Sequence, residues 1–264
     1  MFTKFLRLNF VILLSVVFGC SLFAQTPQKI EQELIKFYAK VNDNSGYKSD
    51  TDSELLEKAN NDFKAKVLEY TKVASTLNHK FIKLGKEITI TTSEDGKFRA
   101  YSWDRLDGGT MHFYETVYQF QGKEGKVYTQ SVVTEEGNAG GFVYKIFTVE
   151  TKLGNVYLVC SLAIGSTQDR YENVGLFRID SNKLNDKVKL IKTKSGLTGS
   201  ISYGYNFFSV LDKKNRSNEL ISYDKKTKVL KIPVVIESEK FQNGEVTDKF
   251  ISYKFNGTNF VKVN

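Results

Sequence analysis

The chain has 264 residues, of which 41% are hydrophobic and 26% charged, and its formal net charge is +8. This composition, with only 2 prolines, excludes a wholly disordered chain because it supplies enough apolar surface for a sizeable core. Aromatic residues reach 13%, which favours pleated, half-buried strands.

The beginning of the chain has the layout of a secretory signal peptide. Lys4 and Arg7 form a short cationic start, an apolar run follows over 10–18, and small residues precede the first polar stretch. The apolar run is too short to span a membrane comfortably. We therefore predict a signal peptide over 1–24, cleavage after Ala24, and an exported protein that is periplasmic or secreted.

A second cleavage chemistry stays open in the same segment. Residues 17–20, Val-Phe-Gly-Cys, resemble a lipobox, in which Cys20 would be acylated. Lipidation at Cys20 would make the mature chain an outer-membrane lipoprotein, whereas cleavage after Ala24 would release it. Phe18 is bulky for a lipobox and the apolar character continues past Cys20, so the sequence favours release.

Two amphipathic stretches follow and predict a helical hairpin over 25–85. In the first, apolar residues recur at helical spacing after Thr26, which can cap the helix. In the second, Thr51 and Glu54 predict a capping box, and the apolar stripe continues to Leu77.

From residue 86 onward the hydrophobic period changes to two, which predicts an antiparallel β domain over 86–264. The expected fold class is mainly β with an N-terminal helical segment (α+β). The strands would form an antiparallel meander in a sandwich- or barrel-like sheet, with a propeller-like arrangement as the alternative. After a first short strand near residue 88, the predicted strands are 98–103, 111–121, 126–133, 142–150, 155–164, 174–180, 187–191, 201–210, 219–223, 228–236, 248–255 and 259–263.

The small number of cysteines and histidines limits the metal sites and catalytic sites that the sequence can form. The chain has two cysteines and two histidines without metal-ligand spacing, so we predict neither a metal site nor a cofactor. Motifs for a lipase-type nucleophile, a P-loop and a dinucleotide fold are absent from the sequence. Cys160 lies in an apolar run that predicts a buried strand, where a free cysteine acts as a small core hydrophobe.

The densest cluster of chemically useful side chains lies in residues 101–115, which hold the only tryptophan and one of the two histidines. A turn at Asp107 and the two following glycines would bring these side chains to one end of a two-stranded ribbon. Trp103 is expected to stack on a sugar or peptide, while polar neighbours supply hydrogen bonds. The candidate ligand-binding residues are Trp103, Asp104, Arg105, His112 and Tyr114.

The sequence leaves three functions open. The first is a non-enzymatic module that binds an envelope ligand or partner, with no catalytic residue assigned. The second is a hydrolase acting on envelope glycans or peptides, which would need two carboxylates about 5–10 Å apart in one cleft. The third is a purely structural accessory protein, for which no pocket of any depth is expected. The carboxylates available to the hydrolase are Asp104, Asp107, Glu115, Asp169 and Glu172.

The excess of basic residues lies wholly in the last third of the chain. Residues 25–180 carry 20 basic and 22 acidic side chains, whereas 181–264 carry 16 and 8. Such clusters suit anionic lipid headgroups or polysaccharide, or they are solvated loops and lysine-guarded edge strands. The expected partners are a polysaccharide, a peptide or an envelope protein and not a nucleic acid. A membrane is expected as a partner only if Cys20 is lipidated.

Two stretches carry a resemblance to a group of proteins. They are KFRAYSWDRLDGGTMHFYETVYQF and NKLNDKVKLIKTKSGLTGSISYGYNFFSV. These stretches resemble uncharacterised exported β-rich proteins of Bacteroidota-type bacteria. The resemblance implies a signal-bearing, β-rich protein and brings no known activity.

Overall fold

The structure, a computed structural model, describes residues 25–48, 51–132, 138–211 and 219–263. The predicted signal segment 1–24, including Cys20, lies outside the described residues. Among the helices that are described, none is long and apolar enough to cross a membrane.

Two helices begin the described chain, α1 at Pro27–Asp43 and α2 at Ser53–Tyr70. Thr26 caps α1 as predicted, because its hydroxyl oxygen accepts the backbone N–H of Lys29 at 3.4 Å.

The predicted start and end of the second helix are wrong. Asp52 caps α2, accepting the backbone N–H groups of Glu54 and Leu55 at 2.9 and 3.2 Å. Thr51 lies one residue before this cap, and its hydroxyl donates to the carbonyl of Ser45 at 2.7 Å. The helix ends at Tyr70, and Leu77 is buried beyond it in a segment of turns.

The chain after the helices forms three sheets. The first sheet has the order β1-β2-β3-β4, all antiparallel. Its strands are β1 Thr89–Thr92, β2 Phe98–Asp104, β3 Tyr114–Gln121 and β4 Val127–Ser131.

The second sheet has the order β11-β7-β6-β5, with β8 paired to the end of β7. Its strands are β5 Phe142–Thr151, β6 Gly154–Ile164, β7 Asp169–Asp180, β8 Lys183–Asn185 and β11 Ser200–Asn206. A one-turn helix, α3 at Phe208–Leu211, follows β11 where the sequence predicted more strand.

The third sheet has the order β10-β9-β15-β14-β13-β12, and its β15–β9 pair is parallel. Its strands are β9 Ile191–Thr193, β10 Gly196–Thr198, β12 Ser222–Asp224, β13 Val229–Ile236, β14 Glu245–Phe255 and β15 Phe260–Val263.

The layers stack in chain order: helices, first sheet, second sheet, third sheet. On one face of the first sheet, Phe63 of α2 meets Trp103 edge-on, with ring centroids 4.9 Å apart. The other face packs Phe98 against Tyr157 of the second sheet. Cys160, buried as predicted, lies in the core between the second and third sheets.

The expected fold class is confirmed, with 44% of the chain in strands and 21% in helices. The described sheets stack like the layers of a sandwich, and they do not close into a barrel. Burying both faces of the first and second sheets explains why aromatic residues are so frequent in this chain.

Candidate functional site

A cleft of about 570 Å³ opens between the first and second sheets. Its floor on the second sheet is a row of three polar side chains on neighbouring strands, Ser161, Asn173 and Ser202, which are register partners. The hydroxyl of Ser202 donates to Oδ1 of Asn173 at 2.9 Å. Oδ1 of Asn173 thus already accepts one hydrogen bond, and the Nδ2 amide group of the same side chain can donate to a ligand.

Tyrosine rings form the walls of this cleft. Tyr114 and Tyr118 approach it from β3 of the first sheet, and Tyr171 from β7 of the second. Tyr118 is buried, whereas Tyr171 is 52% exposed and forms the rim. Rings of this kind stack on apolar faces of a ligand while the row of polar groups bonds its polar edges.

Two glycines make room for the Tyr171 ring. A Cβ atom at Gly204, the register partner of Tyr171 on β11, would lie 2.9 Å from the ring. A Cβ atom at Gly165 would also lie 2.9 Å from the ring. The ring therefore occupies space that larger residues at either position would fill.

An Asp–His pair lies beside Tyr114, one of the residues that line the cleft. Nδ1 of His112 lies 2.5 Å from Oδ2 of Asp104, and Tyr47 Oη lies 3.4 Å from the same nitrogen. A carboxylate only accepts, so Nδ1 carries the proton. The ring of His112 stacks on Tyr114 at 6.3 Å and 15°, which fixes the tyrosine at the cleft wall.

Of the five candidate ligand-binding residues, Asp104, His112 and Tyr114 are brought together. The expectation that Trp103 stacks on a ligand is wrong, because the side chain is 1% exposed and packs among the helices. Its indole N–H donates to Oδ1 of Asn60 at 3.4 Å. Arg105 pairs with Asp107 at 2.8 Å and is not among the residues that line the cleft.

Three of the carboxylates named for a hydrolase, Asp104, Glu115 and Glu172, face different layers of the structure, and Asp107 is paired with Arg105. Asp104 lies on the face of the first sheet that meets the second sheet, and Glu115 lies on the helix side, paired with Lys64 at 2.8 Å. Glu172 points from the second sheet toward the third. Asp169 accepts from Ser166 at 2.6 Å.

The electrostatics of Asp107 reflect its crowded turn. Burial raises the pKa of this carboxyl, Arg105 opposes that shift, and the nearby Asp104 and Glu115 add to it. The carboxylate of Asp107 forms an ion pair with the guanidinium group of Arg105.

Glu172 forms a second polar cluster that sequence reasoning did not find. Its carboxyl group is fully buried and accepts from Tyr144 and Tyr203 at 2.9 and 2.8 Å. Tyr205 and the backbone N–H of Leu220 lie at 3.4 Å from the other oxygen. Burial raises the pKa of Glu172, and these hydrogen bonds offset that shift only in part.

No cluster of three or more His, Cys, Asp or Glu side chains with metal-binding geometry occurs within the described ranges. The cleft itself presents amide, hydroxyl and phenol groups. Among the described lining residues the only carboxylate is that of Glu172, whose side chain points away to the other face of the sheet. The described side chains of the cleft thus offer hydrogen bonding and ring stacking.

No protein-family model matches the chain, and no curated protein matches it. The residues that line the cleft and their chemistry are therefore what indicates a function.

Proposed function

We propose that the protein is an exported, non-enzymatic module that binds a neutral, hydroxyl-rich ligand, an oligosaccharide, in the cleft between the first and second sheets. The observation that carries this proposal is the row Ser161–Asn173–Ser202 facing tyrosine rings. Sugars present hydroxyl groups at their edges and C–H groups on their faces. Amide and hydroxyl side chains form hydrogen bonds with the sugar hydroxyl groups, and tyrosine rings stack on the C–H faces.

The uncharged side chains that the described lining turns toward the cleft support a neutral ligand over a charged peptide. A buried ligand charge would need a partner of opposite sign, since desolvating an unpaired ion is costly. The described side chains that line the cleft supply no such charge. The volume of about 570 Å³ is within the range of small-molecule sites.

The test is a binding screen with neutral oligosaccharides of envelope type, followed by NMR or calorimetry. Tyr171→Ala and Asn173→Ala are expected to weaken binding of a ligand that the wild-type protein holds. Asn259→Ala, in the last turn of the chain and away from the cleft, is the matched control for the amide.

Each of the competing functions has its own outcome in this screen. Cleavage of an oligosaccharide into shorter products would support the hydrolase alternative. Absence of binding across neutral sugars, with the protein folded, would support the structural accessory protein instead.

Export is the second part of the proposal and rests on residues 1–24. N-terminal sequencing and mass analysis of the protein from its host compartment test it. A mature chain beginning at Gln25 is expected. A lipid-modified Cys20 would support the lipoprotein alternative, and an intact N-terminus in the cytoplasm would contradict export.

A further inference from the structure

The outward face of the third sheet carries an alternating row of lysines and apolar side chains. The inward face packs on the second sheet through Leu230, Phe255 and Phe260. Residues beside these in sequence point outward, because side chains alternate along a strand. The cross-strand register then places five outward residues side by side on five strands. This lysine row consists of Leu197, Lys192, Val261, Lys254 and Val229.

Both kinds of side chain in the lysine row are available at the surface. Leu197 is 48% exposed, and Lys192 and Lys254 are exposed. Lys231, also exposed and outward, lies in the next row beside Ser252. The face is therefore basic and apolar at once.

The described carboxylates leave these lysines unpaired. None of Lys192, Lys231 and Lys254 forms an ion pair with a described carboxylate. Asp224, the register partner of Val229, ends the row on the sixth strand and contributes one negative charge to it. The three lysines outnumber this carboxylate, so the described part of the face keeps a net positive charge.

Sheet stability does not account for this arrangement. Lysines that guard a sheet against aggregation lie on its edge strands. The edges of the third sheet are β10 and β12, whereas these three lysines lie on β9, β13 and β14, inside the sheet. Cross-strand pairs that stabilise a sheet join opposite charges or pack aromatic and branched side chains together, but here lysine lies beside valine.

We propose that this face docks on the surface of an anionic phospholipid bilayer. A bilayer offers phosphate groups to the lysines and, just below them, an apolar layer to Leu197 and the valines. A linear anionic polysaccharide would pair with the lysines but would leave the apolar side chains of the same row uncovered. This site is on a different sheet from the cleft, so the two proposals can fail separately.

The test is sedimentation of the full chain with vesicles of phosphatidylcholine alone and with about 30% phosphatidylglycerol added. Residues outside the described ranges contribute equally to every variant, so differences between variants report on the face. The decisive variant is Lys192→Gln/Lys231→Gln/Lys254→Gln. Its matched control is Lys29→Gln/Lys72→Gln/Lys80→Gln, which removes the same charge from exposed lysines of the helical region.

The expected result is tighter binding to anionic vesicles, weakened at least about tenfold by the sheet variant and about twofold or less by the control. Leu197→Ser is expected to weaken binding without changing its dependence on salt, because it removes only apolar contact. Circular dichroism confirms that the variants are folded.

Three results would overturn the proposal. The first is equal binding to neutral and anionic vesicles, and the second is equal loss in the two triple variants. The third is binding of the wild-type chain to immobilised dextran sulfate, lost in the sheet variant, without binding to anionic vesicles. That outcome would assign the face to a polyanionic polymer.

Discussion

The ring of Tyr171 lies over Gly204, its register partner on the neighbouring strand, where a Cβ atom would lie 2.9 Å from the ring. The absence of a side chain at Gly204 thus sets the position of an exposed aromatic wall of the cleft. Because the ring is 52% exposed, it is accessible to the ligand proposed for the cleft.

Gly204→Ala is expected to push the Tyr171 ring out of place. Binding of the oligosaccharide should weaken by about fivefold, the size of one aromatic contact. Calorimetry measures the affinity, and urea unfolding checks stability. Gly85→Ala is the control, since a Cβ atom there meets nothing within 4 Å. Unchanged affinity in the folded Gly204→Ala protein would show that the ring does not touch the ligand.

His112 is expected to act on binding through the ring that it stacks on Tyr114. His112→Ala should weaken oligosaccharide binding by about threefold, while His112→Phe should keep it because a ring remains. His79→Ala is the control, because this histidine contacts Glu31 in the helical region. If His112→Phe binds as poorly as His112→Ala, the hydrogen bond to Asp104 and not the stacking is what matters.

Trp103 is expected to matter for stability and not for binding. Trp103→Ala should lower the free energy of unfolding by about 3–5 kcal/mol, and Trp103→Phe by less, because the side chain is buried against Phe63. Urea unfolding measures the change. Acrylamide should quench the fluorescence of this single tryptophan poorly. Efficient quenching, or a spectral shift on adding ligand, would contradict its burial.

Glu172 is expected to make stability depend on pH. Burial raises its pKa above the ordinary value of 4.5. Between 4.5 and the raised pKa, the folded state binds more protons than the unfolded state does. The free energy of unfolding contributed by this group therefore falls as pH rises through that window.

Two substitutions at Glu172 separate its charge from its hydrogen bonds. Glu172→Gln keeps an acceptor for the tyrosine hydroxyls and should flatten the dependence of stability on pH. Glu172→Leu leaves those hydroxyls without their acceptor and should destabilise by about 3 kcal/mol. Urea unfolding between pH 4 and pH 8 measures both, with exposed Glu57→Gln as the control. If the stability of Glu172→Gln depends on pH as that of the wild-type protein does, Glu172 is not the source of the pH dependence.

Much of the fold could be predicted from the sequence because local patterns determine it. The period-two runs gave most strands, and the apolar stripes gave both helices. The short strands β8 and β10 were missed because three residues carry no detectable alternation. The end of α2 was placed too late, since Leu77 is buried without being helical.

The candidate site was harder to predict, for two physical reasons. Alternation shows that Trp103 faces one side of its strand, but not that helices cover that side. Asn173 and Ser202 were missed because their adjacency depends on the register between strands far apart in sequence. The strand that holds Asn173 also carries charged residues such as Glu172, so Asn173 itself gave no local signal.

The most direct test of the cleft is calorimetry of a neutral oligosaccharide with the Asn173→Asp variant. This change keeps the size of the side chain but replaces the donor Nδ2 with an anionic acceptor, beside a ligand expected to be neutral. Asn259→Asp adds the same charge outside the cleft. We expect the affinity to fall at least about tenfold in Asn173→Asp and to stay near wild type in Asn259→Asp. Equal affinities in the two folded variants would contradict this expectation.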